Sequence, residues 1–190
     1  MKQNILYEGR QDTGFLDEIA ALPEGERVLS CLQCGTCSAT CPVAPLLEHP
    51  PRRIFAMIRA GMRNEVLGSL TPWMCSSCYE CTVRCPAQIK ITEIMYALKR
   101  KSIRENMVPR DSDTHRFYKL FTDIVSKYGR MNEMMLILRY MMFNHPIDLA
   151  AQMPVGIRMF ATGTMQIQPH KVKNQDSFNK IVQKAVSLEE

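Results

Sequence analysis

Outside two short windows this chain of 190 residues has no cysteine at all, and it has one tryptophan and four histidines. His49, His115, His145 and His170 are scattered, and none stands at ligand spacing from a cysteine window, so an imidazole metal site is not indicated. No stretch of apolar residues approaches the roughly twenty needed to cross a bilayer. The nearest, MNEMMLILRYMMFN, is shorter and is interrupted by Glu133 and Arg139. The opening MKQNILYEGRQDTG carries no apolar signal segment, so a secreted disulfide scaffold is not expected. The glycine-containing stretches GEG and GRM lack a phosphate-loop pattern. Asp17, Glu18, Glu65 and Glu93 form no paired-carboxylate arrangement for acid–base work. The sequence offers no catalytic group.

All eight cysteines lie in CLQCGTCSATCP, from Cys31 to Pro42, and CSSCYECTVRCP, from Cys75 to Pro86. Each window reads C-x2-C-x2-C-x3-C-P, and Cys31, Cys34, Cys37 and Cys41 map onto Cys75, Cys78, Cys81 and Cys85 at a constant offset of 44. This run is the iron–sulfur ligation signature of bacterial ferredoxins. Three thiolates two residues apart come from one tight loop whose backbone N–H groups point at the sulfurs. In two-cluster proteins the fourth cysteine serves the other cluster. Cys31, Cys34, Cys37 and Cys85 are therefore expected to hold one 4Fe-4S cluster, and Cys75, Cys78, Cys81 and Cys41 the second. The proline after each fourth cysteine suits a chain turning away from the loop. A structural zinc site, the competing use, takes separated cysteine pairs and needs neither a third cysteine two residues on nor the closing proline. A reducing compartment, the cytoplasm, is expected.

The formal net charge of +5 would suit nucleic acid. However, an oxidised cubane with four thiolates contributes about −2, so two filled sites leave about +1. Arg52, Arg53, Arg59, Arg63, Arg84 and the run Lys99, Arg100, Lys101 flank the windows, as groups that moderate cluster charge or meet an acidic partner would. Solvated helix faces are an equally good reading of any one of them.

Along the chain we expect three parts: residues 1–27 as an N-terminal segment, 28–106 as a two-cluster domain, and 107–190 as a C-terminal helical extension. FLDEIAAL reads as a short helix with Asp12 or Thr13 as cap. From Pro51 to about Ala60 the pattern places Ile54, Met57 and Ile58 on one face, with Gly61 as a stop, and a short turn comes next from Asn64 to Leu67, ending at Gly68. A helix opening near Thr92 puts Ile94, Met95, Leu98 and Ile103 on one stripe, its N-terminus toward the clusters. VPRDSD breaks it. Ser112 to Tyr128 is a further helix with Phe117, Leu120, Phe121, Ile124 and Val125, closed by Gly129, and the Met-rich stretch is another. Pro146 and Pro154 are expected to break the segment after Asn144, with GIRMFATGTMQIQPHKVKNQ irregular and SFNKIVQKAVSLEE a terminal helix. The fold class expected is mainly α, a ferredoxin-like (alpha-helical ferredoxin) core for two 4Fe-4S clusters embedded among helices, without the flanking strands of a minimal ferredoxin. The methionines between 131 and 142 suit core packing, or an adaptable surface for another subunit. Trp73 and Tyr79 are placed to shield the second cluster.

The two windows, with RRIFAMIRAGMRNEVLGS between them, PWMC opening the second and CPAQIKITEIMYALKRK after it, resemble the C subunit of heterodisulfide reductase and its bacterial relatives. The likeness covers residues 28 to about 105. It implies a small helical electron-transfer subunit with two 4Fe-4S clusters, held by the eight cysteines named above. Electrons would pass from a flavin-containing A subunit (HdrA-like) to a disulfide- or thiol-active B subunit (HdrB-like) of a heteromeric complex. The subunit itself would be a non-catalytic part of an oxidoreductase.

Other readings stay open. A diffusible 4Fe-4S ferredoxin would have little use for the Met-rich extension. The iron–sulfur subunits of glycolate oxidase and anaerobic glycerol-3-phosphate dehydrogenase carry Cys-Cys-Gly motifs, and no Cys-Cys pair occurs here. A nucleic-acid-binding protein with structural clusters rests on the basic balance alone.

Overall fold

The computed structural model describes residues 12–109, 112–163 and 171–189. All regular structure among them is helical. The chain divides into two compact units, residues 1–112 and 113–190.

The first unit begins with α1 (Phe15–Ala21), whose Phe15 and Ile19, one turn apart, are fully buried. The Asp12 carboxylate accepts the Gly14 N–H at 3.0 Å just before the helix, so Asp12 braces the entry turn without capping the helix end itself. Phe15 and Ile19 are thus part of the core. A 3-10 turn (Glu26–Ser30) buries Val28 and delivers the chain to Cys31. After the first window, α3 (Pro51–Arg59) starts on a proline, whose missing N–H is no loss at that position. It buries Ile54, Phe55, Met57 and Ile58.

Gly61 ends this helix with φ +66, a conformation glycine adopts without strain. A Cβ there would also lie 2.5 Å from the Asp12 carbonyl oxygen. The N–H of Asp12 donates to the Gly61 carbonyl at 2.9 Å. Next come α4 (Arg63–Leu67) and α5 (Thr71–Met74), the latter leading straight into Cys75. The backbone of His49 and the hydroxyl of buried Thr71 bond both ways, at 3.0 and 2.8 Å, which pins the spacer beside α5.

The longest helix of this unit is α7 (Ile91–Arg104), which buries Ile91, Ile94, Met95, Ala97 and Leu98. It packs against α4 and α5. Ser102 donates to the Leu67 carbonyl at 2.8 Å, satisfying a carbonyl at the end of α4. Ile103, expected on the buried stripe, is about half exposed. It lies nine residues after Ile94, which in an α-helix is half a turn away from that face. A charged network ties α1, α4 and α7 together around Arg63, which bonds Asp12 at 2.6 Å, Glu105 at 2.7 Å and Glu18. Lys101 closes it onto Glu18 and Glu105.

The second unit comprises α8 (Asp113–Tyr128), α9 (Glu133–Asn144), α10 (Pro146–Ala161) and α11 (Gln175–Glu189). Asn132 caps α9 by accepting the Met135 N–H at 2.8 Å. Only Ile124 and Leu136 are buried apolar side chains among the described residues of this unit. Of the stripe expected on α8, Ile124 is buried and Phe121 is exposed. Pro146 does not break the chain but opens α10 at its first turn, where proline is favoured. Pro154 lies inside that helix, so Gly156–Ala161 is helical where irregular structure was expected. Residues 164–170, also expected to be irregular, and His170 with them, lie outside the described residues. No helix among the described residues is long and apolar enough to cross a membrane.

Candidate metal centre: two cysteine-lined cavities

The repeat in sequence is a repeat in backbone. Cys31 and Cys75 leave the preceding turn with φ/ψ of −63°/116° and −60°/118°. Within the loops, Gln33 and Ser77 both have positive φ, as do Gly35 and Tyr79. Short helices then occur at the same offset, α2 (Thr36–Ala39) and α6 (Glu80–Val83), and they pack against each other. Two left-handed residues in each loop curve the backbone tightly at the same offset in both windows. Each loop helix also packs on the longer helix after it, α2 on α3 and α6 on α7. The Arg52 N–H donates to Ser38 Oγ at 2.9 Å, and the Thr92 N–H to Thr82 Oγ1 at 3.2 Å.

Two cavities lie between these elements. Cys31, Cys34, Cys37 and Cys85 line the first, of about 370 Å³, together with Gln33, Arg52, Phe55 and Ile89. Cys41, Cys75, Cys78 and Cys81 line the second, of about 410 Å³, together with Tyr79, Thr92 and Met95. Each cavity thus combines three cysteines of one window with the last cysteine of the other. Ile91, at the start of α7, borders both.

Both hollows are partly open to solvent. Among the described residues, no three His, Cys, Asp or Glu side chains converge closely enough to hold one metal ion. The quartets ring a volume instead of meeting at a point, as ligands to a multi-metal group must. All eight thiols are free of disulfides. Their surroundings differ. Burial pushes the Cys37 thiol up to about 11, and burial also raises Cys41 and Cys81. The Thr36 hydroxyl, 3.4 Å from Cys34 Sγ, lowers the exposed Cys34. Gln33 donates to Cys31 Sγ at 3.4 Å, and Thr92 Oγ1 lies 3.8 Å from Cys81 Sγ. Thiols that resist ionisation become thiolates when a cation takes the proton's place.

Of the aromatic residues expected near the second site, Tyr79 lines its cavity and hydrogen-bonds Glu93 at 3.0 Å. Trp73 is buried but lines neither cavity. Of the basic residues, Arg52 borders the first cavity, and Arg59 donates to the Cys31 carbonyl at 2.9 Å; both are exposed. Arg63 and Lys101 belong to the network around α1. Lys99 differs from all of them: it is the one Lys or Arg among the described residues that is buried. The sequence shows a run of three cations there, and although Lys99 falls in phase with Met95, its burial shows only in the fold. The left-handed residues Gln33, Ser77 and Tyr79 were also not legible, since none is glycine.

The paired cysteine-lined cavities accord with the two-cluster kind of iron–sulfur protein, and residues 27–89 match the 4Fe-4S dicluster domain. Two 4Fe-4S clusters are its cofactors. The chain is homologous to proteins named as the C subunit of heterodisulfide reductase. It is 31% identical over 103 residues to the C subunit of the H2:CoB-CoM heterodisulfide,ferredoxin reductase of Methanothermobacter marburgensis, covering 54% of this chain and 55% of that one. The iron-sulfur C subunit of the CoB–CoM heterodisulfide reductase of Methanopyrus kandleri is 31% identical over 127 residues, 63% of this chain and 65% of its own. The C subunit of the ferredoxin:CoB-CoM heterodisulfide reductase of Methanosarcina mazei is 38% identical over 84 residues, 44% and 52% of the two chains. The chain therefore spans between about half and two-thirds of the length of these curated relatives.

Proposed function

We propose that this chain is the electron-transfer subunit of a heterodisulfide reductase-type complex in the cytoplasm. An alpha-helical ferredoxin core would place it between a flavin-containing A-type subunit and a disulfide- or thiol-active B-type subunit. Cys31, Cys34, Cys37 and Cys85 hold one 4Fe-4S cluster, and Cys41, Cys75, Cys78 and Cys81 the other. Bound there, the two clusters supply one-electron redox centres. The polypeptide does the rest. Its eight thiolates fix the two sites, Ile91 borders both, and Phe55, Ile89 and Met95 add apolar lining. Residues 28–106 form the cluster-bearing domain in this reading, and residues 107–190 carry subunit contacts.

The observation that carries this reading is the exchange of the last cysteine between windows at the two cavities. Its test is spectroscopic. Under crosswise ligation, Cys41→Ser and Cys78→Ser alter the same low-temperature paramagnetic signal, and Cys85→Ser alters the same one as Cys34→Ser. If Cys41→Ser instead alters the signal that Cys34→Ser does, each window closes on its own metal and the assignment fails. The A- and B-type partners are tested by anaerobic affinity purification of the tagged full chain, with a flavoprotein and a second cysteine-rich protein expected in the eluate.

A diffusible ferredoxin is the weaker reading. Phe143 and Ile147 stand 77% and 83% exposed on α9 and α10, with Met142, Val155 and Ile157 also open. A free carrier gains nothing from apolar surface of this extent.

A further inference from the structure

We infer that Lys99 sets the reduction potential of the centre ringed by Cys41, Cys75, Cys78 and Cys81, acting as a buried positive charge placed behind one wall of that site. The inference rests on the ligand assignment proposed above and adds to it a positioning residue that is not itself a ligand.

Lys99 sits four residues after Met95, hence one helical turn beyond a side chain that lines the cavity. Side chains on a helix lean toward its N-terminus, which carries the Lys99 stem back toward the site. Its Nζ lies 5.3 Å from the centre of the Tyr96 ring, a cation–π distance. The Tyr96 hydroxyl in turn meets Ser77 Oγ at 2.6 Å, and Ser77 is the left-handed residue between Cys75 and Cys78. The Tyr96 side chain therefore links the ammonium to the cysteine loop, and only 7% of Lys99 is exposed. Burial draws the Lys99 pKa down, and the negative charge of Cys75 pulls it the other way. A filled site adds further negative charge on that side.

Burial decides why this cation matters more than its neighbours. Arg52, Arg53, Arg59 and Arg84 are all exposed, where water and salt screen them. A charge in the low-dielectric interior is screened far less. Reduction adds one negative charge to the centre, and a nearby fixed cation favours that state. Lys99 therefore raises the potential of this centre, and the first centre, flanked by screened arginines, is left to its sulfur hydrogen bonds.

The test is a potentiometric titration of the cluster-loaded full chain followed by paramagnetic resonance, each signal assigned through the Cys34→Ser and Cys78→Ser variants. In Lys99→Met, which keeps the packing volume and removes the charge, the second centre is expected to become at least tenfold harder to reduce. That is a fall of about 59 mV for one electron. The first centre holds its potential, and Lys99→Arg keeps both. Equal potentials in wild type and Lys99→Met overturn the inference, as does an equal shift of both centres. Should Lys99→Met fail to hold its clusters, the wild type decides. Raising salt from low to high then leaves the second potential in place if a buried charge sets it, and a strong salt dependence of that centre overturns the proposal. A wild type with fewer than two centres would instead overturn the ligand assignment.

Discussion

Gly35 and Tyr79 hold the same left-handed backbone turn, at φ/ψ of 85°/−5° and 62°/−1°, one residue after the second cysteine of each window. One has no side chain and the other a phenol. Gly35→Ala is expected to destabilise the loaded protein by about 1 kcal/mol through backbone strain alone. Tyr79→Gly relieves that strain but removes the aromatic lid of the second cavity. Bleaching of the iron–sulfur absorption in air should then be several-fold faster in Tyr79→Gly. Tyr79→Phe, which loses only the bond to Glu93, should match the wild type. Equal bleaching in all three would show that the ring protects nothing.

The network around Arg63 makes the docking of α1 sensitive to acid. The Arg63 guanidinium holds the Asp12 carboxyl below its ordinary 3.8, and Lys101 with Arg63 holds Glu18 below 4.5. Because both folded-state values are depressed, the stabilisation is complete above the ordinary carboxylate range and is lost as pH falls through the folded values. Hydrogen exchange of Phe15–Ala21, normalised to intrinsic rates, should therefore rise relative to that of α7 between about pH 5 and pH 3. In Arg63→Met the segment should be less protected at neutral pH and respond less steeply to acid, with the Lys101–Glu18 pair supplying what dependence is left.

Gly61→Ala is predicted to be among the costliest single-methyl additions in the first unit. It meets an unfavourable φ and a backbone carbonyl 2.5 Å away, and neither can relax without parting α1 from α3. A loss of about 2 kcal/mol or more is expected, read as an earlier urea midpoint of the loaded protein. Gly68→Ala, at a glycine of ordinary negative φ whose added Cβ would lie 2.9 Å from the Asn64 carbonyl oxygen, should cost less because it carries no left-handed strain.

If α9 and α10 carry subunit contacts, Phe143→Ser with Ile147→Ser should abolish co-purification of partners while leaving iron and sulfide content unchanged. Each exposed apolar anchor is worth on the order of 1–2 kcal/mol when covered. Unaltered partner recovery from the double variant would remove this surface from the interface.

Much of the first unit was legible because its signals are local. The faces of α3 and α7 can be read from Ile54, Met57 and Ile58 and from Ile94, Met95 and Leu98, and Gly61 and Gly68 mark stops that the structure keeps. What escaped depends on partners distant in sequence. Lys99 shares the helical phase of Met95 and Arg100 does not, but a lysine on such a face usually reaches water, and only the fold shows that this one is buried. Ile103 misled because a single apolar residue at a helix end sits near a stripe without sharing its phase. Pro154 misled in the opposite sense: proline inside a helix is costly on average, but α10 continues past it to Ala161. The cysteine windows declared their chemistry through spacing, whereas their depth and their differing thiol environments required the fold.

The traded final cysteine bears on how the protein matures. Under the ligand assignment proposed above, metal insertion at either quartet would join Cys37 to Cys85 or Cys41 to Cys75, and so draw the two halves of the first unit together across the spacer. The loop-closure entropy of that spacer is then met once, by whichever insertion comes first. The second insertion finds its ligands already gathered, so partially loaded molecules should be scarce, and a maturation machine would deliver to this chain in an all-or-none fashion.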